Sequence, residues 1–244
     1  MLLVRPGEIP ADTAAELNRL QPGTIYILGG EGAVSADVFA QARSYAPTVT
    51  RLSGGNRYST GAAIVRHFWS GAGTVYVASG ESYPDALSGG ALAAQGSAPI
   101  LLSASDRLPQ ALVDALTRLQ PSTVVLLGGT GALSERVAAQ VSEVLPGATT
   151  QRLAGADRFA TSAAIAQYGW ATTGGRAYLA AGGNFPDALA GVPAAAGSGA
   201  PLLLARQSCL PAPVHDQLVR LAPEQQILLG GSGVLSEGAL SHTC

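Results

Sequence analysis

The chain repeats itself, and the repeat constrains the fold before any other feature does. Leu2 to Gly32, Leu101 to Gly131 and Leu203 to Gly233 align, each closing an apolar run with Gly-Gly-x-Gly. Gly29, Gly128 and Gly230 set successive offsets of 99 and 102 residues. A period of that size is a domain, far longer than a solenoid unit. The other half of the unit occurs only twice. Arg51-Leu-Ser-Gly-Gly-Asn-Arg57-Tyr-Ser-Thr60 matches Arg152-Leu-Ala-Gly-Ala-Asp-Arg158-Phe-Ala-Thr161, and Tyr83-Pro-Asp-Ala-Leu87 matches Phe185-Pro-Asp-Ala-Leu189. The chain therefore reads as the C-terminal half of one module over 1–50, a complete second module over 51–151 and a complete third over 152–244.

The middle copy shows what a module is built from. Thr74 to Ala78, Pro99 to Leu102 and Thr123 to Leu127 are short, continuously apolar runs, the pattern of strands buried on both faces. Between and after them lie helical stretches over Asn56 to Trp69, Asp85 to Gln95, Pro109 to Leu119 and Ser134 to Leu145. In the last of these Val137, Val141 and Leu145 form one stripe behind an N-cap serine. Such alternation predicts an α/β fold: tandem modules, each a mostly parallel sheet flanked by helices in a Rossmann-like three-layer arrangement with right-handed crossovers. The Thr-rich stretches before Arg51-Leu52 and Arg152-Leu153 read as extended connectors or edge strands. No linker separates the modules, so they should pack directly on one another. The incomplete first copy should expose apolar surface at its sheet edge.

Composition narrows the function. At 47% apolar and 12% charged residues the chain is ordinary globular material, and a formal charge of -2 supplies no basic face for nucleic acid. All 14 positive side chains are Arg, so an anionic ligand would be met by planar guanidinium forks. No apolar run is long enough to span a membrane, and Met1 to Pro6 is not a signal peptide, so any secretion signal lies outside these residues. Cys209 and Cys244 are too widely spaced for a metal motif. A disulfide closing the C-terminal end is the favoured reading, with an oxidising, extracellular setting, and two buried thiols are the alternative.

Three repeated motifs are candidate sites. Each Gly-Gly-x-Gly follows a strand and precedes a serine-capped helix, at Ser35, Ser134 or Ser236, as in dinucleotide folds. The third glycine of that fingerprint is Ser in every copy, and no acidic residue follows about twenty positions on, so a tight structural turn is favoured over a nucleotide site. Asp85 and Asp187 open helices, where a carboxylate favours the helix dipole with no ligand at all, or where it anchors a sugar hydroxyl or an Arg. Arg51, Arg57, Arg152 and Arg158 flank glycine-containing loops, and either bind an anionic group or pair internally with Asp85 and Asp187. Neither G-x-S-x-G nor a recurring His is present, since His67, His215 and His242 fall at unrelated positions. Nothing nominates a nucleophile, base and orienter, a metal set or a cofactor.

In combination, Arg-Leu-x-Gly-x-x-Arg-(Tyr/Phe)-x-Thr, (Tyr/Phe)-Pro-Asp-Ala-Leu, Ala-Pro-(Ile/Leu)-Leu-Leu and Leu-Gly-Gly-x-Gly-x-(Leu/Val)-Ser resemble the type 2 cell-wall-binding repeat over essentially the whole chain. The resemblance implies tandem modules packed with pseudo-threefold symmetry. It also implies a non-catalytic role, the non-covalent attachment of a secreted protein to anionic wall polymers of Gram-positive bacteria. It points to Ile100-Leu101-Leu102 and Leu202-Leu203-Leu204 as part of the wall-binding region, with nearby Arg as the polar contribution. By physical reading the same residues are core strands, most firmly the central leucine of each run. The first copy has Met1 in place of the apolar residue and lacks the Arg and Pro-Asp motifs, so two complete sites are expected. A fused catalytic or surface domain would lie outside this chain. The alternatives are an α/β nucleotide- or sugar-handling enzyme, or the wall-targeting part of a peptidoglycan hydrolase whose catalytic domain lies outside these residues.

Overall fold

A computed structural model describes residues 1–172 and 175–244. They form two compact units, Leu2–Ser70 and Gly71–Cys244. In the first unit, helix α1 (Ala11–Leu20) leads to strand β1 (Thr24–Leu28), then α2 (Ala36–Ala42), β2 (Thr48–Leu52) and α3 (Arg57–Phe68). Strands β1 and β2 pair in parallel, Leu28 opposite Leu52.

The second unit holds two parallel sheets. Strands β3 (Thr74–Ser79), β4 (Ile100–Ser103), β5 (Thr123–Leu127) and β6 (Thr149–Leu153) lie in the order β4-β3-β5-β6. They alternate with α4 (Pro84–Gln95), α5 (Gln110–Leu119) and α6 (Glu135–Val144). The third sheet repeats this as β8-β7-β9, from β7 (Arg176–Ala181), β8 (Leu202–Ala205) and β9 (Gln225–Leu229). Its helices are α7 (Arg158–Gly169), α8 (Pro186–Gly197) and α9 (Ala212–Leu221). The expected strands and helices of the middle copy are thus all present, with ends moved by a residue or two, and within the second unit the second and third sheets' helices pack directly, α4 lying against α7 and α8.

The two Thr-rich stretches are edge strands. Arg51-Leu52 close β2 and Arg152-Leu153 close β6, so a repeat that begins at Arg51 or Arg152 begins on the strand that ends the preceding sheet.

The apolar runs are core, as continuous hydrophobicity requires of strands covered on both faces. Val124 to Leu127, Leu179 and Leu202 to Leu204 are at most 1% exposed. Trp170 joins the same core and donates its indole N–H to the Gly199 carbonyl at 2.7 Å, so the one polar atom of a buried ring is satisfied. In the first unit β1 is poorly covered: Tyr26 and Leu28 remain 40% and 41% exposed, whereas the equivalent Val125 and Leu127 are fully buried. The expected apolar exposure at that sheet is therefore present.

The third copy departs from the second at its end. Where α6 follows β5, a 3₁₀ turn (Glu237–Ser241) follows β9, and the chain then pairs with the segment after β8. Leu210 N–H donates to the His242 carbonyl at 2.8 Å and Cys244 N–H to the Leu210 carbonyl at 2.9 Å. The Cys209–Cys244 disulfide, with 5.9 Å between Cα atoms, fastens this clasp. Of the two readings of these cysteines, the bridged one holds.

Candidate functional site

In each sheet of the second unit the central strand, β3 or β7, has neighbours reached in opposite directions, and the crevice beyond the carboxyl ends of such strands is where open α/β sheets place ligands. The crevice of the second sheet is framed by the loop after β3, the Pro-Asp helix start and the Gly-Gly-x-Gly turn, and that of the third by the loops after β7 and β8 and the glycine turn.

The turn is built around its first glycine. Gly29, Gly128 and Gly230 have φ of +116°, +106° and +107°, a region costly for any residue with a Cβ. A second constraint acts at Gly128 and Gly230, where an added Cβ would strike the carboxylate of Asp85 or Asp187. The Gly-rich loops are thus structural turns, cut to admit an aspartate. Ser35 caps α2 by accepting from Val38 N–H at 3.2 Å. Ser134 occupies the same position before α6, but its hydroxyl makes no capping bond and is buried without a partner. Ser236 precedes only the 3₁₀ turn and makes no cap bond either.

Arg51 and Arg152 hold these turns from the edge strand. Arg51 Nη1 donates to the carbonyls of Gly29 and Val34, both at 2.7 Å, and Nη2 to Ser35 O at 3.1 Å. Arg152 Nη1 donates to Gly128 O at 2.9 Å and Leu133 O at 2.8 Å, with a longer contact from Nη2 to Glu135 at 3.4 Å. Their partners are backbone carbonyls, and neither pairs with Asp85 or Asp187. Of the four arginines, Arg158 is the one that acts electrostatically on Asp85, without an ion pair to it among the described residues.

The remainder of the Arg-Leu motif is a helix start. Asn56 accepts from the N–H groups of Tyr58 and Ser59, and Asp157 from those of Phe159 and Ala160 at 2.9 and 2.8 Å. Thr60 and Thr161 hydroxyls accept from Gly54 and Gly155 N–H at 3.0 and 3.1 Å. Gly54 and Gly155 are obligatory because a Cβ there would meet the backbone of Ser59 or Ala160. The caps Asn56 and Asp157 are the residues sequence reasoning passed over. Their signal was present: an Asn or Asp three residues ahead of a small residue at a helix start.

Asp85 sits in the first turn of α4, 8% exposed, with no side-chain capping bond. Burial pushes its carboxyl above the ordinary carboxylate value, and the Arg158 guanidinium pulls it partly back. Asp85, Gly129, Gly131, Gly155, Asp157 and Arg158 line a crevice of about 230 Å³ over the second sheet. Arg158, at the exposed start of α7, also donates from Nη1 to Gly182 O at 2.6 Å. The first residue of one repeat's helix thus completes the crevice of the repeat before it. Arg57 opens α3 in the same position within its repeat. In the third sheet Asp187 faces Gly230 as Asp85 faces Gly128, but is half-buried.

Of the apolar candidates, Leu101 and Leu202 to Leu204 are core, while Ile100 and Leu102 are partly covered. As core strands they fix where the crevice loops begin, and the fully buried ones, Leu101 and Leu202 to Leu204, offer solvent no side chain of their own. The histidines lie elsewhere: none of the three lines either crevice. No helix of the described residues is long and apolar enough to cross a membrane.

Comparison with known proteins agrees with the fold and its repetition. The cell wall binding domain 2 profile matches residues 51–138 and 152–240, one stretch from each complete repeat. The chain is 32% identical over 189 residues to the N-acetylmuramoyl-L-alanine amidase LytC of Bacillus subtilis (strain 168), covering 78% of this chain and 37% of the amidase. It is 27% identical over 212 residues to the amidase enhancer of the same organism, covering 87% of this chain and 28% of that protein. The solved structures of Cwp8 and Cwp6 from Clostridium difficile superpose with TM-scores of 0.84 and 0.86 at 26% and 27% identity. They match 97% and 98% of this chain and 41% and 39% of their own lengths. The chain therefore spans well under half of each of these relatives. Tandem matches over both complete repeats, together with the shared α/β fold, place this chain in the cell wall binding domain 2 family.

Proposed function

We propose that this chain is the wall-attachment part of a secreted protein, holding it at the cell surface by non-covalent, non-catalytic binding to anionic wall polymers. The observation that carries this reading is the crevice formed by Asp85, Arg158 and the glycine turns, placed where parallel sheets bind ligands and occurring within a family of wall-binding modules. Its groups suit a charged glycan: Arg158 to meet an oxyanion, Asp85 to accept from sugar hydroxyls, and turn backbone to approach closely. Arg57 is assigned the corresponding duty toward the copy before it, and Asp187 that of Asp85 in its own repeat. Arg51, Arg152 and the two leucine-rich strands serve by fixing the turns and strand ends.

Repetition strengthens such attachment without stronger single contacts, because a second site on one polymer binds at high effective concentration. The modules bounded at residues 51 and 152 are the units of that repetition. Catalysis belongs, on this reading, to other parts of proteins that carry such modules.

Sedimentation with purified Gram-positive wall tests the proposal. The chain should pellet with intact wall, release no soluble wall fragments, and remain in solution when the anionic polymers have been stripped. Equal binding to stripped wall refutes the polymer assignment, and fragment release refutes the non-catalytic one.

A further inference from the structure

The crevice of the third sheet opens at a different place from that of the second: it lies between the loops after β7 and β8, whereas the Asp85 crevice lies beside the start of α7. After β3, Glu81 reaches across and accepts from Ser105 N–H at 3.2 Å, so its side chain joins the loop after β3 to the loop after β4. In the third copy the residue in Glu81's place is Gly183, and the residue in Ala104's place is Arg206. An acidic tie is lost and a guanidinium is gained at one spot. The crevice at this spot has a volume of about 500 Å³, within the usual span of small-molecule sites.

Its chemistry is one-sided. Phe159, Val234 and small alanines give an apolar floor, while Asn184, Arg206 and Gln207 supply polar groups, and no acidic side chain lines it. Arg206 is exposed, and its guanidinium lies 5.4 Å from the centre of the Phe159 ring. That stacking fixes the plane of the fork and leaves its N–H edges to solvent. The guanidinium makes no hydrogen bond or ion pair with another described residue. Asn184 accepts through Oδ1 from Phe185 N–H at 2.9 Å, which leaves its amide N–H groups as donors. Gln207 donates to Gly233 O at 2.7 Å and so holds the glycine turn against the end of β8.

We infer that the third module holds an oxyanion-selective saccharide site of its own, with Arg206 as the anion contact, Asn184 as a further donor and the apolar floor against the sugar ring. The ligand class is a sugar-sized group bearing a carboxylate or phosphate. This inference rests on the wall-polymer reading and adds that the two complete modules are unequal: where the second has Glu81 tying the loops after β3 and β4 together, the third has an open, cationic crevice.

Titration of the whole chain with glucuronate, glucose 6-phosphate and glucose, followed by amide NMR, tests it. The two charged sugars distinguish carboxylate from phosphate. At least one should shift the amides of Gly183, Arg206 and Val234, while glucose leaves them in place. R206Q should weaken that binding at least about tenfold, as expected for loss of a charged hydrogen bond. G183E, which restores the acidic residue of the second module, should do the same. A Cβ at Gly183 meets nothing within 4 Å and its φ is not positive, so this variant keeps the fold. Thermal melts of both variants should overlay the parent. Equal shifts by glucose, unchanged affinity in R206Q, or shifts confined to the Asp85 crevice overturn the inference. Wall sedimentation of the parent is scored separately, so a chain that pellets with intact wall but ignores charged sugars at Arg206 sinks this site and leaves the wall-binding reading standing.

Discussion

Replacing Arg152 separates the two duties an arginine can have in this fold. Its Nη1 bonds the carbonyls of Gly128 and Leu133 at 2.9 and 2.8 Å, and its side chain is only 20% exposed. Each hydrogen bond involving a charged partner contributes ~1.5–3 kcal/mol, and R152A also leaves the carbonyls of two buried residues without their donor, so a loss of about 3–5 kcal/mol is expected. The exposed Glu135 contact at 3.4 Å adds little, and E135Q should cost at most about 1 kcal/mol. R152K keeps the charge, but its Nζ falls about one bond short of the position Nη1 takes between the two carbonyls, and it should lose roughly half as much as R152A. The assay is urea unfolding followed by circular dichroism, with amide exchange read at Gly128 to Ser134 so that local opening of the turn is seen apart from global unfolding. Wall sedimentation below the unfolding transition should change little. A stability loss under about 1 kcal/mol accompanied by collapse of wall binding would refute the reasoning and make Arg152 a ligand contact.

Other expectations follow from the same geometry. Gly128→Ala forces a Cβ onto a left-handed backbone facing the Asp85 carboxylate and should cost about 2 kcal/mol or more in thermal melts, whereas Gly131→Ala, with nothing within 4 Å, should stay within about 0.5 kcal/mol. Reducing Cys209–Cys244, 35 residues apart in sequence, should destabilise the third module by roughly 4 kcal/mol through regained chain entropy, seen as lost protection at Leu210 and Cys244 amides. The raised carboxyl value of Asp85 means that the folded chain holds its proton to higher pH than the unfolded one. Stability from this group is therefore greatest below the unfolded value and declines as pH rises through the folded one. Melts from acid to neutral pH should show D85N gaining on the parent over that interval, and a constant difference contradicts the assignment.

Element identity was legible because burial on both faces leaves an unmistakable run: Thr123 to Leu127 are the whole of β5. The Gly-Gly-x-Gly turn was legible as a turn from its repetition, but its reason was not. That Gly128 must lack a Cβ because Asp85 lies against it is a contact between residues 43 apart, which no local pattern encodes. The arginines show the same limit. Arg51 and Arg152 look like Arg57 and Arg158 in sequence, yet a strand end aims the first pair at backbone carbonyls while a helix start exposes the second. The ending of the third copy was half legible: two cysteines announced a bridge, and the replacement of a helix by a 3₁₀ turn and a parallel clasp depended on Leu210 meeting His242 and Cys244.

The central claim is that the crevices recognise charge on a glycan. Calorimetric titration of the chain with purified anionic wall polymer, beside an uncharged glycan of similar length, tests it most directly. The account predicts saturable binding to the anionic polymer that weakens as salt is added, and none to the neutral one. Equal binding to both, or binding indifferent to salt, would contradict it.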